Sequence, residues 1–514
     1  MFQAATTEDL PRPVHARERF ASVDLGSNSF RLWIAELNEQ ARLVPIANHK
    51  FPVRLAAGVG PGGVLDPAAL QRAQLVLQQM GKLIQESGAS TVRALATSTF
   101  RIASNALELL RQAQLELGCP VEIVSGLEEA RLIYKGVSKQ LPTDHQDRLV
   151  LDIGGGSTEC IIGHNERAKL VDSAVIGCVF VSDHFFPRGE ITMTAMNQAI
   201  YRARDHFAPL APPYKRLGWK YAIGTSGTAK SLVQFANAHF GVERLSRQVL
   251  GQMIELLVQA GSSATIPIEG LKPERRPVLA GGLAVMAAAF DEFGMASLSY
   301  SQGALRQGAL YDLIERREGM DIQSASVEML KRRYAVDDAQ SRRMYICADK
   351  LLSRMVDVVP ARLIGPDLHR VQRGLHYAAQ LAEIGLAIAH EDFGKHGSYI
   401  LSQSDIPGFS KPEQALLARL TLGQYGSLAT VRDVMESPQE WVMLLCLRWA
   451  SILNRQRAKT SLRLPSLQWT NNRLIATWPK HMEEDHPVTH ATLIYEASYW
   501  NSISLELKTE MIFA

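Results

Sequence analysis

The chain contains the stretch Val23-Asp24-Leu25-Gly26-Ser27-Asn28-Ser29 and a near copy of it, Leu151-Asp152-Ile153-Gly154-Gly155-Gly156-Ser157-Thr158-Glu159. Each copy reads as a strand that delivers an aspartate, followed by a tight turn of glycine, hydroxyl and amide residues. The two aspartates lie about 130 residues apart, which is about the size of one domain. Matched copies at this distance predict a duplicated fold with its active site between the two halves.

These turns have the composition of anion-binding loops. Small residues let backbone N–H groups close around an anion, and hydroxyl groups add further donors. A third loop, Gly224-Thr225-Ser226-Gly227-Thr228, opens onto a predicted helix whose N-terminus also favours anions, although helix capping explains such a loop equally well. The predicted phosphate-binding residues are Gly26, Ser27, Asn28, Ser29, Gly154, Gly155, Gly156, Ser157, Thr158, Gly224, Ser226, Gly227 and Thr228.

The composition is that of a soluble globular protein with several domains. The 514 residues are 46% hydrophobic and 21% charged, and the five cysteines form no CxxC pair, which argues against a disulfide framework or a zinc site. The N-terminus lacks the apolar core of a signal peptide, and no apolar run is long enough to span a bilayer. We therefore expect a cytoplasmic protein, with peripheral attachment to a membrane left open.

The net charge of +3 does not by itself identify a polyanionic partner. Basic residues cluster at 331–333, 342–343 and 455–459, and each cluster is either a solvated helix face or a polyanion contact.

Strands and helices alternate along the first part of the chain, which predicts an α/β fold. From about residue 316 the pattern becomes mostly helical, with a helix expected over 374–389. A β-hairpin is expected around Asn471-Asn472. The predicted domains are 16–136, 137–315, 316–465 and 466–514, the last being a small region that contains strands.

Hydrolysis of a phosphoanhydride needs donors for the phosphoryl oxygens, a metal ion to share their charge, and a base to orient water. Asp152 and Glu159 flank one turn and Asp24 the other, so these carboxylates are the predicted ligands of Mg²⁺. The base is expected in a helical first turn at Glu128 or Glu129. Adjacent helical residues point about 100° apart, so only one can face the cleft, and the pattern does not choose between them.

A cation is also expected near the phosphate. Arg101 follows a predicted strand end, from which its guanidinium group either reaches a phosphate in bidentate fashion or forms a surface ion pair.

Six blocks resemble, in the same order, the exopolyphosphatase/guanosine pentaphosphate phosphohydrolase (Ppx/GppA) family in its long form. This resemblance implies two RNase H-like domains around a cleft, the fold shared with actin, heat-shock chaperones and sugar kinases. It also implies Mg²⁺-dependent release of terminal phosphate from inorganic polyphosphate. The blocks are 23–30, 96–101, 125–134, 152–159, 224–228 and 303–308.

Carried over to this sequence, the resemblance makes Glu129 the general base and gives Asp152 and Glu159 the metal and water-positioning roles, with Arg101 assisting. It relates the helical third domain to HD phosphohydrolases, but the expected His-Asp pair is absent, since the matching stretch is Leu381-Ala382-Glu383-Ile384-Gly385. That domain is expected to be non-catalytic and to bind polyanions or form a homodimer. Gln302 stands where relatives commonly have an acid.

The leading hypothesis is therefore that the protein is an exopolyphosphatase that acts on inorganic polyphosphate and needs no nucleic acid as a partner. The alternative is a guanosine pentaphosphate 5′-phosphohydrolase, which performs the same chemistry on a nucleotide. A non-catalytic alarmone or nucleotide sensor and a sugar or acetate kinase are further possibilities on the same fold.

Overall fold

The computed structural model describes residues 18–38, 43–60, 62–141, 144–267, 269, 271–317, 322–404, 406–457, 464–502 and 507–514. The chain divides into two compact units, Met1–Met320 and Asp321–Ala514. This boundary lies slightly beyond the predicted division at 315/316. The divisions at 136/137 and 465/466 stay predictions. The predicted domain start at residue 16 and the basic residue Lys459 lie outside the described residues.

The first half of the first unit contains a five-stranded sheet with the order β3-β2-β1-β4-β5. Strands β1, β4 and β5 are parallel, and β2 and β3 continue from β1 as antiparallel strands. The elements are β1 (Arg19–Leu25), β2 (Ser29–Leu37), β3 (Leu43–Pro52), α1 (Pro67–Ser87), β4 (Thr91–Ala96), α2 (Ser98–Ile102), α3 (Ala106–Leu117), β5 (Val121–Ile123) and α4 (Gly126–Ser138).

The second half of the first unit contains a six-stranded sheet with the order β10-β11-β9-β6-β7-β8. The elements are β6 (Asp147–Ile153), β7 (Thr158–His164), β8 (Arg167–Ala174), α5 (Cys178–Phe185), α6 (Met193–Phe207), α7 (Ala211–Leu217), β9 (Tyr221–Thr225), α8 (Ser226–Phe240), β10 (Leu245–Ser246), α9 (Arg247–Ala260), α10 (Arg276–Phe293), β11 (Ser297–Tyr300) and α11 (Leu305–Arg317).

The two sheets share one topology, as the repeated sequence predicted. In each sheet an antiparallel hairpin (β1-β2 or β6-β7) carries the turn, and parallel strands (β4 and β5, or β9 and β11) follow on the other side of the first strand. Asp24 and Asp152 occupy the same place, one residue before the end of the first strand. The prediction of a duplicated α/β fold is therefore confirmed.

Local sequence explains the helices of this unit. Helix α1 begins after Asp66, whose side chain accepts a hydrogen bond from the N–H of Ala69, and Pro67 occupies the first turn. It ends at Gly88, which adopts the left-handed conformation that glycine favours. The buried stripe of this helix faces the core beneath the first sheet.

The second unit is mostly helical and contains a three-stranded sheet with the order β12-β13-β14. Its helices and strands share one hydrophobic core. The elements are α12 (Ile322–Arg333), α13 (Asp338–Val356), α14 (Ala361–Ile364), α15 (Leu368–Gln380), α16 (Phe393–Gln403), α17 (Lys411–Gly423), α18 (Pro438–Asn454), β12 (Ser466–Thr470), β13 (Arg473–Trp478), α19 (Met482–Asp485), α20 (Pro487–Ser502) and β14 (Lys508–Phe513).

Two predictions for this unit had different outcomes. The hairpin is confirmed, because Asn471 and Asn472 have φ values of 51° and 63° between β12 and β13, as a two-residue turn requires. The helix over 374–389 is wrong in its bounds, since α15 ends at Gln380 and a 3-10 turn, Ile384–Ala387, follows. The HD relationship stays a prediction. Among the described residues no helix is long and apolar enough to cross a membrane.

Candidate active site

A cavity lies where the repeated turns of the first unit face each other. A Cβ atom added to Gly155 would lie 3.4 Å from Cβ of Ser27 and 3.6 Å from Cβ of Asn28, so the two turns are in van der Waals contact. The second turn is closed by a hydrogen bond from the N–H of Gly154 to the carbonyl oxygen of Ser157, 2.9 Å long. The duplication therefore produces one site from two halves.

Most of the predicted site residues line this cavity. The lining is formed by glycines, hydroxyl groups, carboxylates and guanidinium groups, which is the chemistry that a phosphate chain requires. The predicted residues that line it are Asp24, Gly26, Ser27, Asn28, Ser29, Glu129, Asp152, Gly154, Gly155, Gly156, Ser157, Glu159, Ser226, Gly227 and Thr228.

Thr158 and Gly224 do not line the cavity in this structure, and their assignment as phosphate-binding residues stays a prediction. Thr158 is fully buried, and its hydroxyl donates to the carbonyl oxygen of Ile176 at 2.6 Å, so it connects β7 to the segment between β8 and α5. Gly224 lies within β9, where a Cβ atom would come within 2.7 Å of Ala229 and Leu298. Both residues serve packing.

The pair Glu128 and Glu129 is resolved by the orientation of α4. Ser125 caps this helix by accepting from the N–H of Glu128, which places both glutamates in the first turn. Glu129 lines the cavity. Glu128 points away and accepts two hydrogen bonds from Arg131 at 2.8 Å, and Arg131 in turn binds the fully buried Asp312 at 2.7 Å.

Of the two alternatives that the sequence left open for Arg101, a phosphate contact and a surface ion pair, the structure shows an ion pair, although a largely buried one. Its guanidinium group does not line the cavity, and instead it donates to Glu129 at 2.9 Å and to the carbonyl oxygen of Val124 at 2.8 Å. These two hydrogen bonds hold the Arg101 guanidinium group against Glu129, the candidate base, and away from the cavity in which a phosphate would bind.

The carboxylates of the cavity are poorly solvated. Burial raises the pKa of Glu129 to about 7, with Arg101 opposing this rise. Burial likewise raises the pKa of Asp152 to about 6, and it raises the pKa of Asp24 and of Glu159, the latter strongly because Glu129 and Asp152 lie near. Burial therefore disfavours the ionised form of these carboxyl groups, and a bound cation would favour it.

The described residues contain no group of three or more His, Cys, Asp or Glu side chains arranged to hold a metal ion by themselves. Mg²⁺ is usually bound by one or two carboxylates and completed by substrate phosphates and water. Asp152 and Glu159 are direct partners across β6 and β7, so their side chains share one face of the sheet beside the cavity. These residues fit a Mg²⁺ ion that the substrate completes.

Three arginines of the cavity were missed by the sequence analysis: Arg31, Arg275 and Arg306. Arg31 pairs with Asp24 across β1 and β2, just as Glu159 pairs with Asp152 across β6 and β7. Both pairs are seven residues apart in the sequence, and this shared spacing could have identified Arg31 as a site residue. Arg306 is buried, and burial lowers its pKa to about 10. Arg275 packs against Gly227, where any side chain would overlap its guanidinium group.

Helix N-termini add further positive potential. Helices α4, α8 and α11 all begin at the cavity, so their positive N-terminal ends face it. Helix α4 contributes Glu129 to the lining, α8 contributes its first residues Ser226 to Thr228, and α11 contributes Arg306. Ser226 has a φ of 61°, a conformation that serine rarely adopts and that is found at functional sites more often than elsewhere.

Comparison with known proteins agrees with this geometry. The profile of the Ppx/GppA phosphatase family matches residues 33–317, and that of Ppx/GppA phosphatase domain III matches residues 322–497. The first match begins within β2, after β1 and the first turn, and covers the rest of the first sheet, the second sheet and most of the cavity. The second match covers most of the helical unit.

Solved structures share the fold of the first unit. A Ppx/GppA family member from Aquifex aeolicus is 24% identical, with a TM-score of 0.50, and an exopolyphosphatase from Cytophaga hutchinsonii is 24% identical, with a TM-score of 0.52. Each alignment covers 58% of this chain and 98% of the other. An exopolyphosphatase-like protein is 25% identical, with a TM-score of 0.51, over 58% of this chain and 99% of the other. The chain belongs to the Ppx/GppA phosphatase family.

Proposed function

We propose that this protein is an exopolyphosphatase that releases terminal orthophosphate from inorganic polyphosphate. The observation that carries the proposal is the position of Glu129, a buried carboxylate with a raised pKa in a cavity whose lining includes glycine-rich turns, hydroxyl groups and three arginines. A base works best when its pKa lies near the working pH, so a pKa of about 7 suits the activation of water.

The reaction follows from these groups. The turns 26–29 and 154–157 hold the terminal phosphoryl group through backbone N–H groups and hydroxyls, and Glu129 orients a water molecule toward its phosphorus. The water oxygen forms a bond to phosphorus while the bond from phosphorus to the bridging oxygen breaks. The bridging oxygen keeps the electron pair and stays with the shortened chain, and the water proton passes to Glu129.

Asp152 and Glu159, with Asp24 nearby, would hold Mg²⁺. When bound, this ion would neutralise phosphoryl oxygens and lower the repulsion between the substrate and the carboxylates. Arg101 assists by keeping Glu129 partly ionised, because its positive charge lowers the pKa that burial raises.

Guanosine pentaphosphate presents the same terminal phosphoanhydride and is the alternative substrate. The glycine-rich second turn and the domain III match support polyphosphate as the substrate, since both suit a long phosphate chain that carries no nucleobase. A sensor would bind either compound without turnover, and a sugar or acetate kinase would transfer phosphate from ATP to its acceptor.

The test is orthophosphate release with Mg²⁺ from long-chain polyphosphate and from guanosine pentaphosphate, measured for wild type and Glu129→Gln. We expect release from polyphosphate and a loss of about 10²–10⁴-fold in kcat for the variant, because a positioned base contributes that much to the chemical step. Substrate affinity should change little.

Glu108→Gln is the matched control, since Glu108 is also a first-turn glutamate but lies exposed on α3. It should retain wild-type rates. If Glu129→Gln keeps more than a few per cent of activity, Glu129 is not the base. Release confined to guanosine pentaphosphate would favour the alternative, and binding without release would favour a sensor.

A further inference from the structure

Arg306 is the most deeply buried of the three arginines that line the cavity. Its exposed fraction is 6%, whereas Arg31 and Arg275 are both partly exposed. A buried guanidinium group normally gives its five N–H donors to carboxylates or carbonyl groups. Among the residues that the structure describes, the Nε atom of Arg306 has no hydrogen-bond partner. A cationic donor is thus held ready at the cavity wall without a protein acceptor for this N–H.

The backbone delivers Arg306 to this place with little freedom. It lies in the first turn of α11, which packs directly against α4, the helix that carries Glu129. A methyl group on Gly136 would overlap the carbonyl oxygen of Ala304, and one on Gly308 would overlap that of Leu132. The backbones of the two helices therefore touch, and this contact sets the distance between the base and the arginine.

A hydrogen bond also ties the loop before α11 to the sheet of the second half. The hydroxyl of Thr225, at the end of β9, donates to the carbonyl oxygen of Gly303. Ala304 is held as well, because its N–H donates to the side chain of Gln307 at 3.2 Å. Arg306 is thus fixed relative to both α4 and α8, the helices that begin beside the two turns.

We propose that Arg306 is a catalytic residue that binds the non-bridging oxygens of the terminal phosphoryl group, a role that the sequence left open for Arg101. This inference rests on the proposed function and names the group that stabilises its transition state. A planar guanidinium fork matches two phosphoryl oxygens, and the water-poor surroundings make its charge more effective than it would be in solution.

The test compares Arg306→Ala, Arg306→Lys and Arg101→Ala in orthophosphate release from tripolyphosphate, with and without added guanidinium ion. An arginine that stabilises a transferring phosphoryl group contributes about 10³-fold or more to kcat, and we expect that loss in Arg306→Ala. Free guanidinium should restore at least tenfold in Arg306→Ala and nothing in Arg101→Ala. The kcat of Arg306→Lys should lie between those of wild type and Arg306→Ala, since lysine keeps the positive charge but lacks the planar guanidinium group that can bind two oxygens.

Arg276→Ala is the matched control. Arg276 also has a buried Nε without a partner among the described residues, but it does not line the cavity. Its kcat should stay within about threefold of wild type. A folded Arg306→Ala enzyme whose kcat lies within tenfold of wild type, or a loss that guanidinium does not relieve, would overturn the proposal.

Calorimetric binding of tripolyphosphate without Mg²⁺ separates this inference from the proposed function. Affinity should fall at least tenfold in Arg306→Ala, or in Arg306→Lys if the alanine variant does not fold, and stay unchanged in Arg276→Ala. A wild-type protein that binds tripolyphosphate but releases no orthophosphate would refute the proposed function. Equal affinity in wild type and the Arg306 variants would refute the role of Arg306.

Discussion

Glu129 and Arg101 form an ion pair whose two side chains are 11% and 19% exposed. Burial raises the pKa of the carboxyl group, and the charges of Asp24 and Asp152 act in the same direction, while the guanidinium group lowers it. The balance leaves a pKa of about 7, where the base is partly ionised at neutral pH. In the proposed mechanism, Arg101 is thereby a positioning residue that lowers the pKa of the general base Glu129.

This balance predicts how activity depends on pH. Glu129 must be deprotonated to accept a proton, so kcat/KM should rise with pH up to about 7 and level off above it. Arg101→Gln removes the group that lowers this pKa, so the rise should move to higher pH. The measurement is kcat/KM against pH for both proteins, and a rise at the same pH in both would contradict the coupling.

At the scale of elements, the contact of α4 with α11 joins residues that are far apart in the sequence. Asp312 on α11 binds Arg131 on α4 and Arg93 on β4, each at 2.7 Å. One turn later Glu315 binds Lys135, which continues the same buried row of ion pairs. Glycines at the crossing let the backbones meet, and the ion pairs fix the rotation of α4 that turns Glu129 toward the cavity.

Gly136→Ala should disrupt this contact. The added methyl group would overlap the carbonyl oxygen of Ala304, and we expect a loss of about 1–3 kcal/mol in the free energy of unfolding. Activity should fall as well, because the base and Arg306 would move apart. Denaturant unfolding and kcat measurements on the same variant check both effects.

Gly251→Ala is the control for that substitution. Gly251 lies in α9 with no atom within 4 Å of an added Cβ, so alanine should stabilise the protein by about 0.5–1 kcal/mol through helix propensity. A Gly136→Ala protein as stable as wild type would show that the two helices can separate without cost.

At the scale of the whole molecule, the first unit contains the entire cavity and the second contains the predicted polyanion contacts. Some of those cations form ion pairs within the unit. The buried Lys331 binds the more exposed Glu328 and Asp338, and Arg457 binds Asp337 and Glu383. Exposed cations of the clusters, which can still reach a polyanion, are Arg332, Arg333, Arg342 and Arg455.

Ending the chain after residue 320 should retain hydrolysis of tripolyphosphate but reduce kcat/KM for long-chain polyphosphate by tenfold or more. The cavity lies entirely within residues 24–306, so the truncated chain keeps every group that lines it. Contacts with the distal chain are electrostatic, so the difference between the two substrates should shrink at high salt. Equal losses on both substrates would refute a distal binding role for the second unit.

Much of this fold can be read from the sequence because its signals are local. Alternating strands and helices, the Asn471-Asn472 turn and the caps of α1 depend on residues a few positions apart. The predicted bounds of α15 were wrong because no glycine or proline marks its end at Gln380, whose carbonyl oxygen accepts from the distant Ser341 hydroxyl instead of continuing the helix. The sequence did not show that Thr158 and Gly224 lie outside the cavity lining, because a turn residue and a packing residue look alike in sequence.

By itself, the sequence determined the duplication, the α/β class, the two phosphate-type turns and the carboxylates at the strand ends, since each of these is a property of contiguous residues. Three outcomes needed the tertiary structure. It shows, independently of any family resemblance, that Glu129 is the first-turn glutamate that faces the cavity. It also shows that Arg101 contacts Glu129 and that Arg306 lines the cavity. The physical reason is that these outcomes depend on the rotation and close packing of α4 against α11, helices whose contacting residues lie some 170 positions apart in the chain.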